Sequence, residues 1–246
     1  MLLRQLFELE SSSFTYLLAD EATGQALLID PVRETVDRDL EQLAALKLTL
    51  RYTLETHVHA DHVTGAFKLR RETGCKIALA RASGAVGADL LLDDGDVIRC
   101  GGIALTARGT PGHTESCMTY VTDGGAFTGD ALLIRGCGRT DFQRGDPLAL
   151  YQSVRQKIFS LPPATLLYPA HDYRGRSVTT VAEERALNPR LKDGITADAF
   201  VGIMASLKLA LPKKINEAVP ANLRVGDVPD ATPVAALAGF IGGEGI

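Results

Sequence analysis

All five histidines of this 246-residue chain fall where a strand-like stretch gives way to a loop. His57, His59 and His62 share the run Thr56-His57-Val58-His59-Ala60-Asp61-His62, directly after the strand-like Leu50 to Glu55. His113 follows Thr110-Pro111-Gly112, and His171 follows Tyr168-Pro169-Ala170. Asp61 and Asp130, the latter in Phe127-Thr128-Gly129-Asp130, occupy similar exits. Loops at strand ends are where a rigid scaffold can hold several side chains to a common point, and neutral imidazole with carboxylate is a donor set suited to borderline divalent metals. The chain must therefore bring strand ends from distant segments to one edge.

The rest of the sequence supplies such a scaffold. Strand-like stretches at Leu2 to Phe7, Phe14 to Ala19 and Ala26 to Ile29 read as a meander closed by Asp30-Pro31. Val36, Leu40, Leu43 and Leu46 repeat near a helical period, which predicts a helix from Thr35 to Leu46. A second helix is expected over Phe67 to Arg71, then short strands at Lys76 to Ala80, Ile103 to Arg108, Met118 to Val121 and Ala126 to Thr128. Pro147 suits a first helical position, so a helix is predicted from there to Phe159, followed by a buried strand Thr165 to Tyr168 and helices at Val181 to Leu187 and Ala197 to Leu209. The class is α/β. We expect a single domain over 1–246, with 175–246 as a C-terminal helical and loop extension contributing to the pocket, and Thr232 to Ile246 as a frayed tail.

Composition excludes several roles. A net charge of −4 provides no field to steer the chain to nucleic acid or anionic lipid, and no apolar run approaches the roughly 20 residues of a membrane-spanning helix. The opening Met1-Leu2-Leu3-Arg4-Gln5-Leu6-Phe7-Glu8 reaches an acid before a signal core could form, so the expected location is the cytoplasm. Cys75, Cys100, Cys117 and Cys137 form no CxxC pair and read as free thiols.

The run T-H-V-H-A-D-H resembles the HxHxDH signature of the metallo-β-lactamase superfamily, with His113, Asp130 and His171 at its later ligand positions. The resemblance spans Phe14 to about Asn188 and implies an αββα sandwich, two mixed β-sheets flanked by helices, with a metal at one edge between the sheets. Gly129 to Gln143, Tyr168 to Gly175, Glu183-Glu184-Arg185-Ala186-Leu187-Asn188-Pro189-Arg190 and Ala218-Val219-Pro220-Ala221-Asn222 are similar to its persulfide dioxygenase branch.

That branch implies one Fe(II) per chain, held here by His57, His113 and Asp130, which oxidises glutathione persulfide with O₂ and water to sulfite and glutathione. Two imidazoles and one carboxylate leave positions open, as non-haem iron requires for oxygen chemistry. His59, Asp61, His62 and His171 would form a second metal site in the superfamily's hydrolases; in the dioxygenase branch they orient other groups. Asp61, His62, His171, Asp172 and Tyr173 are accordingly the further catalytic candidates. Glutathione carries two carboxylates, and Arg grips carboxylate bidentately. Arg139, Arg176, Lys213 and Arg224, with Arg174 and Lys214 beside them, are the cationic candidates, Tyr173 joins them at the pocket, and Arg139 has an alternative as an ion pair with Asp141 or Asp146. Cys137, between two glycines, reads as a small buried thiol near the pocket.

The resemblance also implies a homodimer and a persulfide supplied by a separate sulfurtransferase or sulfide oxidase. Two other functions fit the same ligands: a glyoxalase II-like hydrolase of S-acylglutathione with two metals, and a non-catalytic sensor or carrier of sulfur compounds. An open metal site disfavours the last, because structural metals are normally closed by four protein ligands.

Overall fold

Alternation along the first strands decides how the chain layers. In the computed structural model, which describes residues 1–229, β1 (Leu2–Glu8), β2 (Ser13–Asp20) and β3 (Gln25–Ile29) form an antiparallel meander. Tyr16, Leu18, Leu27 and Ile29 point to one face and Leu17, Ala19, Ala26 and Leu28 to the other, and both sets are buried. A sheet with two apolar faces needs a cover on each.

The outer cover follows in sequence. α1 (Val36–Ala45), β4 (Thr49–Leu54), α2 (Ala66–Thr73), β5 (Lys76–Ala80) and β6 (Leu90–Leu92) extend the sheet in parallel to the order β1-β2-β3-β4-β5-β6. Val36 and Leu43 of α1 and Leu69 of α2 pack on Leu17, Leu28 and Leu50. The inner cover is a second six-stranded sheet, ordered β12-β11-β10-β9-β8-β7. It comprises β7 (Val97–Cys100), β8 (Ile103–Gly109), β9 (Met118–Thr122), β10 (Gly125–Gly129), β11 (Leu166–Pro169) and β12 (Thr179–Thr180), with β10 and β11 parallel and the other pairs antiparallel. α3 (Pro147–Ser153), α4 (Val181–Leu187) and α5 (Ala197–Ala205) close its far face, setting Leu150, Val181 and Phe200 against Ala126 and Leu167. α6 (Ile215–Asn222) follows, and the result is the αββα sandwich of the metallo-β-lactamase fold.

Two buried phenols stitch the sheets together where the histidines emerge. The Tyr16 hydroxyl, from β2, donates to the Pro169 carbonyl at 2.6 Å, and the Tyr120 hydroxyl, from β9, donates to the Glu55 carbonyl at 2.8 Å. Each phenol donates its proton to the partner sheet, and the rings fill the core with Phe127. The exits of β4 and β11 are thus held to the opposite sheet by groups that water cannot reach.

Several elements differ from the sequence expectation. The helix from Pro147 ends as α-helix at Ser153 and widens into a π-helical turn over Val154–Ile158. The helix expected to reach Leu209 stops at Ala205, where the Ser206 hydroxyl donates to the Ile203 carbonyl and the chain leaves to bring the Leu209 and Ala210 carbonyls to Arg139. β6 and β7 are too short to show periodicity among the aspartates around them, and α6 carries Pro220, which reads as a breaker in isolation. The reading of Thr232 to Ile246 as a tail falls outside the described residues. No helix among the described residues is long and apolar enough to cross a membrane.

All four thiols are free and buried, and burial pushes Cys100 and Cys137 up to about 11 and Cys117 to about 12. Since the thiolate is the reactive form, a thiol reagent at pH 8 is expected to label the native protein at least about 100-fold more slowly than the denatured chain. Tyr120→Phe leaves the buried Glu55 carbonyl unpaired, and thermal or urea unfolding should register a loss of about 1–3 kcal/mol.

Candidate metal centre

The centre is organised by a carboxylate that stands outside the group formed by His57, His113 and Asp130. Asp30 closes β3 with a φ of +51°, a left-handed conformation that Asp tolerates better than most residues. That turn buries its side chain against the exit of β4, where Oδ1 accepts the Thr56 amide and Oδ2 the Thr56 hydroxyl, both at 2.7 Å. Thr56 has one hydroxyl proton and gives it to Asp30. Its oxygen, 3.0 Å from His57 Nδ1, can only accept there, so His57 carries its proton on Nδ1 and keeps Nε2 as a lone pair. Burial, reinforced by His59 and His113, holds His57 well below the usual histidine value.

The same accounting fixes His113. Its Nδ1 lies 2.7 Å from the Arg139 carbonyl, which can only accept, so its Nε2 is also free to bind. The loop reaches this position through Gly112, whose φ is +135° and whose Cβ, if present, would lie 2.2 Å from the Leu150 backbone. Asp130, directly after β10, sets Oδ2 3.5 Å from His113 Nε2, while its buried Oδ1 has no hydrogen-bond partner among the described residues. One ligand atom from each of His57, His113 and Asp130 lies within 4.8 Å of the other two. Two imidazole nitrogens held for ligation and an unsatisfied carboxylate oxygen at one point fit a divalent cation.

His59 lies beside His57, with ring centroids 4.0 Å apart, and its buried Nδ1 stands 4.0 Å from Asp61 Oδ1. Its Nε2 faces Asp30 Oδ1 at 3.1 Å and Glu55 Oε2 at 3.6 Å. Burial opposes charge on this ring, but Asp30, Asp61 and Glu55 together push His59 up to about 10. Asp61, His62 and His171 gather on the other side, with Asp61 Oδ2 3.0 Å from His62 Nδ1 and 3.8 Å from His171 Nε2. Burial raises Asp61, yet His62 and His171 outweigh it and hold the carboxyl well below its usual range. Ser13 binds this group from behind: its hydroxyl donates to Asp61 Oδ2 at 3.1 Å and lies 3.3 Å from Nδ1 of both His62 and His171.

A cavity of about 680 Å³ opens over the centre. His57, Asp61, His113, Asp130 and His171 form its floor, Leu133, Ile134, Phe142 and Leu209 supply apolar wall, and Tyr173 stands at the side, parallel to His171 with ring centroids 6.0 Å apart. Arg135, Arg139, Arg174, Arg176 and Arg190 also line it. Most of their donors are engaged. Arg139 takes the ion-pair alternative, bonding Asp141 at 2.6 and 2.7 Å and the Leu209 and Ala210 carbonyls. Arg176 bonds Asp172 Oδ1 and the Ile134 carbonyl, Arg135 bonds Glu184 and Arg190 the Cys137 carbonyl.

Asp172 spends both oxygens inside its own loop, accepting the amides of Arg174 and Arg176 as well as the Arg176 guanidinium, so it shapes the loop that carries Tyr173. Lys213 and Arg224 are exposed and neither lines the cavity; the C-terminal segment reaches it through Leu209, Ala210 and Pro212. Lys214 pairs with Glu10 and Glu34. Cys137 does line the cavity, with its thiol 3.8 Å from the Met204 sulfur.

Asp30, Thr56, Glu55 and Ser13 were not among the sequence candidates. The only available signal was position: Asp30 stands at a strand exit like Asp61 and Asp130, and Glu55 and Thr56 abut the histidine run.

Comparison with known proteins agrees with this geometry. Residues 10–171 match the model of the metallo-beta-lactamase superfamily, and the chain belongs to that superfamily. Within it, the human mitochondrial persulfide dioxygenase ETHE1 is 54% identical over 229 residues, covering 92% of this chain and 89% of the relative. The crystal structure of ETHE1 from Myxococcus xanthus superposes with a TM-score of 0.90 at 49% identity, covering 92% of this chain and all of that one. Glyoxylase B2 of Dictyostelium discoideum is 29% identical over 263 residues, covering 90% of each chain. The chain thus falls in the persulfide dioxygenase branch.

Replacing Thr56 by Val removes the acceptor that orients His57. Metal affinity, measured by competition with a chromophoric chelator, is expected to fall about 10- to 100-fold.

Proposed function

We propose that the protein oxidises glutathione persulfide with O₂ and water to sulfite, glutathione and protons, using one ferrous ion held by His57, His113 and Asp130. The observation that carries this reading is the three-ligand set: two oriented imidazoles and one carboxylate, in a chain 54% identical to a persulfide dioxygenase. A ferrous ion there would supply open coordination positions for O₂ and sulfur.

The chain's own residues do the rest. His57 and His113 present Nε2 because Thr56 and the Arg139 carbonyl hold their other nitrogens. Asp61 and His171, on the cavity floor, are placed to take and pass the protons that water brings to sulfite formation. Leu133, Ile134, Phe142 and Leu209 keep water from the sulfur end. Arg174 is exposed at the rim with its backbone fixed by Asp172, and it is the guanidinium we assign to a glutathione carboxylate. Arg176 and Arg190 would add positive potential from their structural positions.

The test is metal analysis of anaerobically purified protein, then oxygen uptake with glutathione persulfide and cleavage of S-lactoylglutathione. Near one iron per chain with oxygen uptake is the expected result. Two zinc ions with thioester cleavage would instead establish the dinuclear hydrolase, and neither activity would leave a sensor or carrier. Chelation should abolish oxygen uptake, and Fe(II) should restore it where Zn(II) does not. Arg174→Ala should raise KM for glutathione persulfide by about tenfold with kcat little changed, the loss of one exposed charge-assisted bond.

A further inference from the structure

Two successive residues just beyond the cavity wall hold a backbone that side chains rarely adopt: Gln143 at a φ of +49° and Arg144 at +57°. Such strain persists only where neighbouring groups impose it. The Gly145 amide donates back to the Phe142 carbonyl at 2.9 Å, and Gly145 is packed so closely that a Cβ would lie 2.5 Å from the Thr140 carbonyl oxygen. The third constraint is the Gln143 side chain, whose Nε2 donates to the Val58 carbonyl at 2.9 Å.

Val58 stands between His57 and His59, so this one bond ties the loop to the run that carries one metal-binding imidazole. The start of the loop is tied to the other, since the Arg139 carbonyl accepts from His113 Nδ1. Between the two ties lies Phe142, part of the cavity wall, edge-on to His113 with ring centroids 6.0 Å apart and with the Arg139 guanidinium 4.9 Å from its ring centre. Gln143 itself does not line the cavity. Its Oε1 is buried without a hydrogen-bond partner among the described residues, a cost that an apolar side chain of the same length would avoid. What the amide supplies is the donor to Val58.

We propose that Gln143 is a positioning residue: by latching its loop to Val58 it holds Phe142 beside His113 as the wall that receives the outer sulfur of a persulfide. Sulfur is polarizable and packs favourably against aromatic rings, so the placing of this ring bears on how tightly that end of the substrate is held. The choice of ligand rests on the reaction proposed above; the latch itself is read without any substrate.

Gln143→Met keeps the length of the side chain and removes the donor. In this variant the Gly145 amide should exchange with solvent about tenfold faster, as local opening becomes easier, while metal affinity, read by chelator competition, stays near the parent value. Oxygen uptake by the iron-loaded variant should show KM for glutathione persulfide raised about five- to tenfold, the worth of one neutral hydrogen bond, with kcat little changed. Phe142→Ala should raise KM at least as far, and the double variant should add nothing further, because the latch acts only through that ring. Unchanged Gly145 exchange would overturn the latch whatever the substrate. Faster exchange with an unchanged KM, or KM effects that multiply in the double variant, would overturn its action through Phe142. A parent protein that takes up no oxygen with the persulfide would refute the proposed reaction and with it the choice of ligand, and the exchange result would still decide the latch. Should Gln143→Met fold poorly, the parent decides that point: its Gln143 side-chain amide protons should be protected, and exchange at the rate of a free amide would refute the proposal.

Discussion

The buried carboxylate of Asp30 is the contact on which the centre depends. It joins the end of β3 to the exit of β4 through the Thr56 amide, and through the Thr56 hydroxyl it dictates which nitrogen of His57 is left to bind. It also faces His59. A carboxyl group buried at a strand exit has strong demands for N–H and O–H donors, and meeting them sets the start of the histidine run. The left-handed backbone of Asp30 is part of the same arrangement: strain accepted at one residue aims its side chain at a neighbouring strand.

The loops that complete the centre are held from outside it. Glu184 and Asn188 of the α4 region bind the turn after Asp130, Glu184 through the Arg135 amide and guanidinium and Asn188 through the Gly136 carbonyl. Asn222, at the end of α6, donates to the carbonyls of His59 and His62 at 2.9 and 2.8 Å and accepts the Thr64 amide. Segments far along the chain thus serve as splints for the metal-binding loops. Most of the cavity's arginines do the same work: each guanidinium has several donors, and wherever a carbonyl or carboxylate lies near, the bond that forms first is to the protein.

Much of the plan was readable beforehand because it depends on local pattern. Short strand-like apolar stretches ended by turn residues gave the meander, helical spacing gave α1, and the histidines stood out because they cluster at strand exits. The errors also have local causes. β6 and β7 are too short for a period to show, α6 hides behind Pro220, and α5 ends early because Ser206 and Arg139 draw carbonyls away from the helical ladder. For the cationic candidates, charge and proximity in sequence were the only guide, which could not separate Arg174 at the rim from Arg139 tied to Asp141.

By itself the sequence determined that five histidines and two aspartates would sit at strand ends, in a fold whose strands carry apolar side chains on both faces; those are consequences of residue order and a period of two. Only the tertiary structure decided how the imidazoles divide. His57 and His113 keep Nε2 for a metal, while His59 turns its Nε2 to Asp30 and Glu55 and its Nδ1 toward Asp61. That division depends on donors and acceptors brought from different strands and loops in an interior without water, and no run of neighbouring residues contains it.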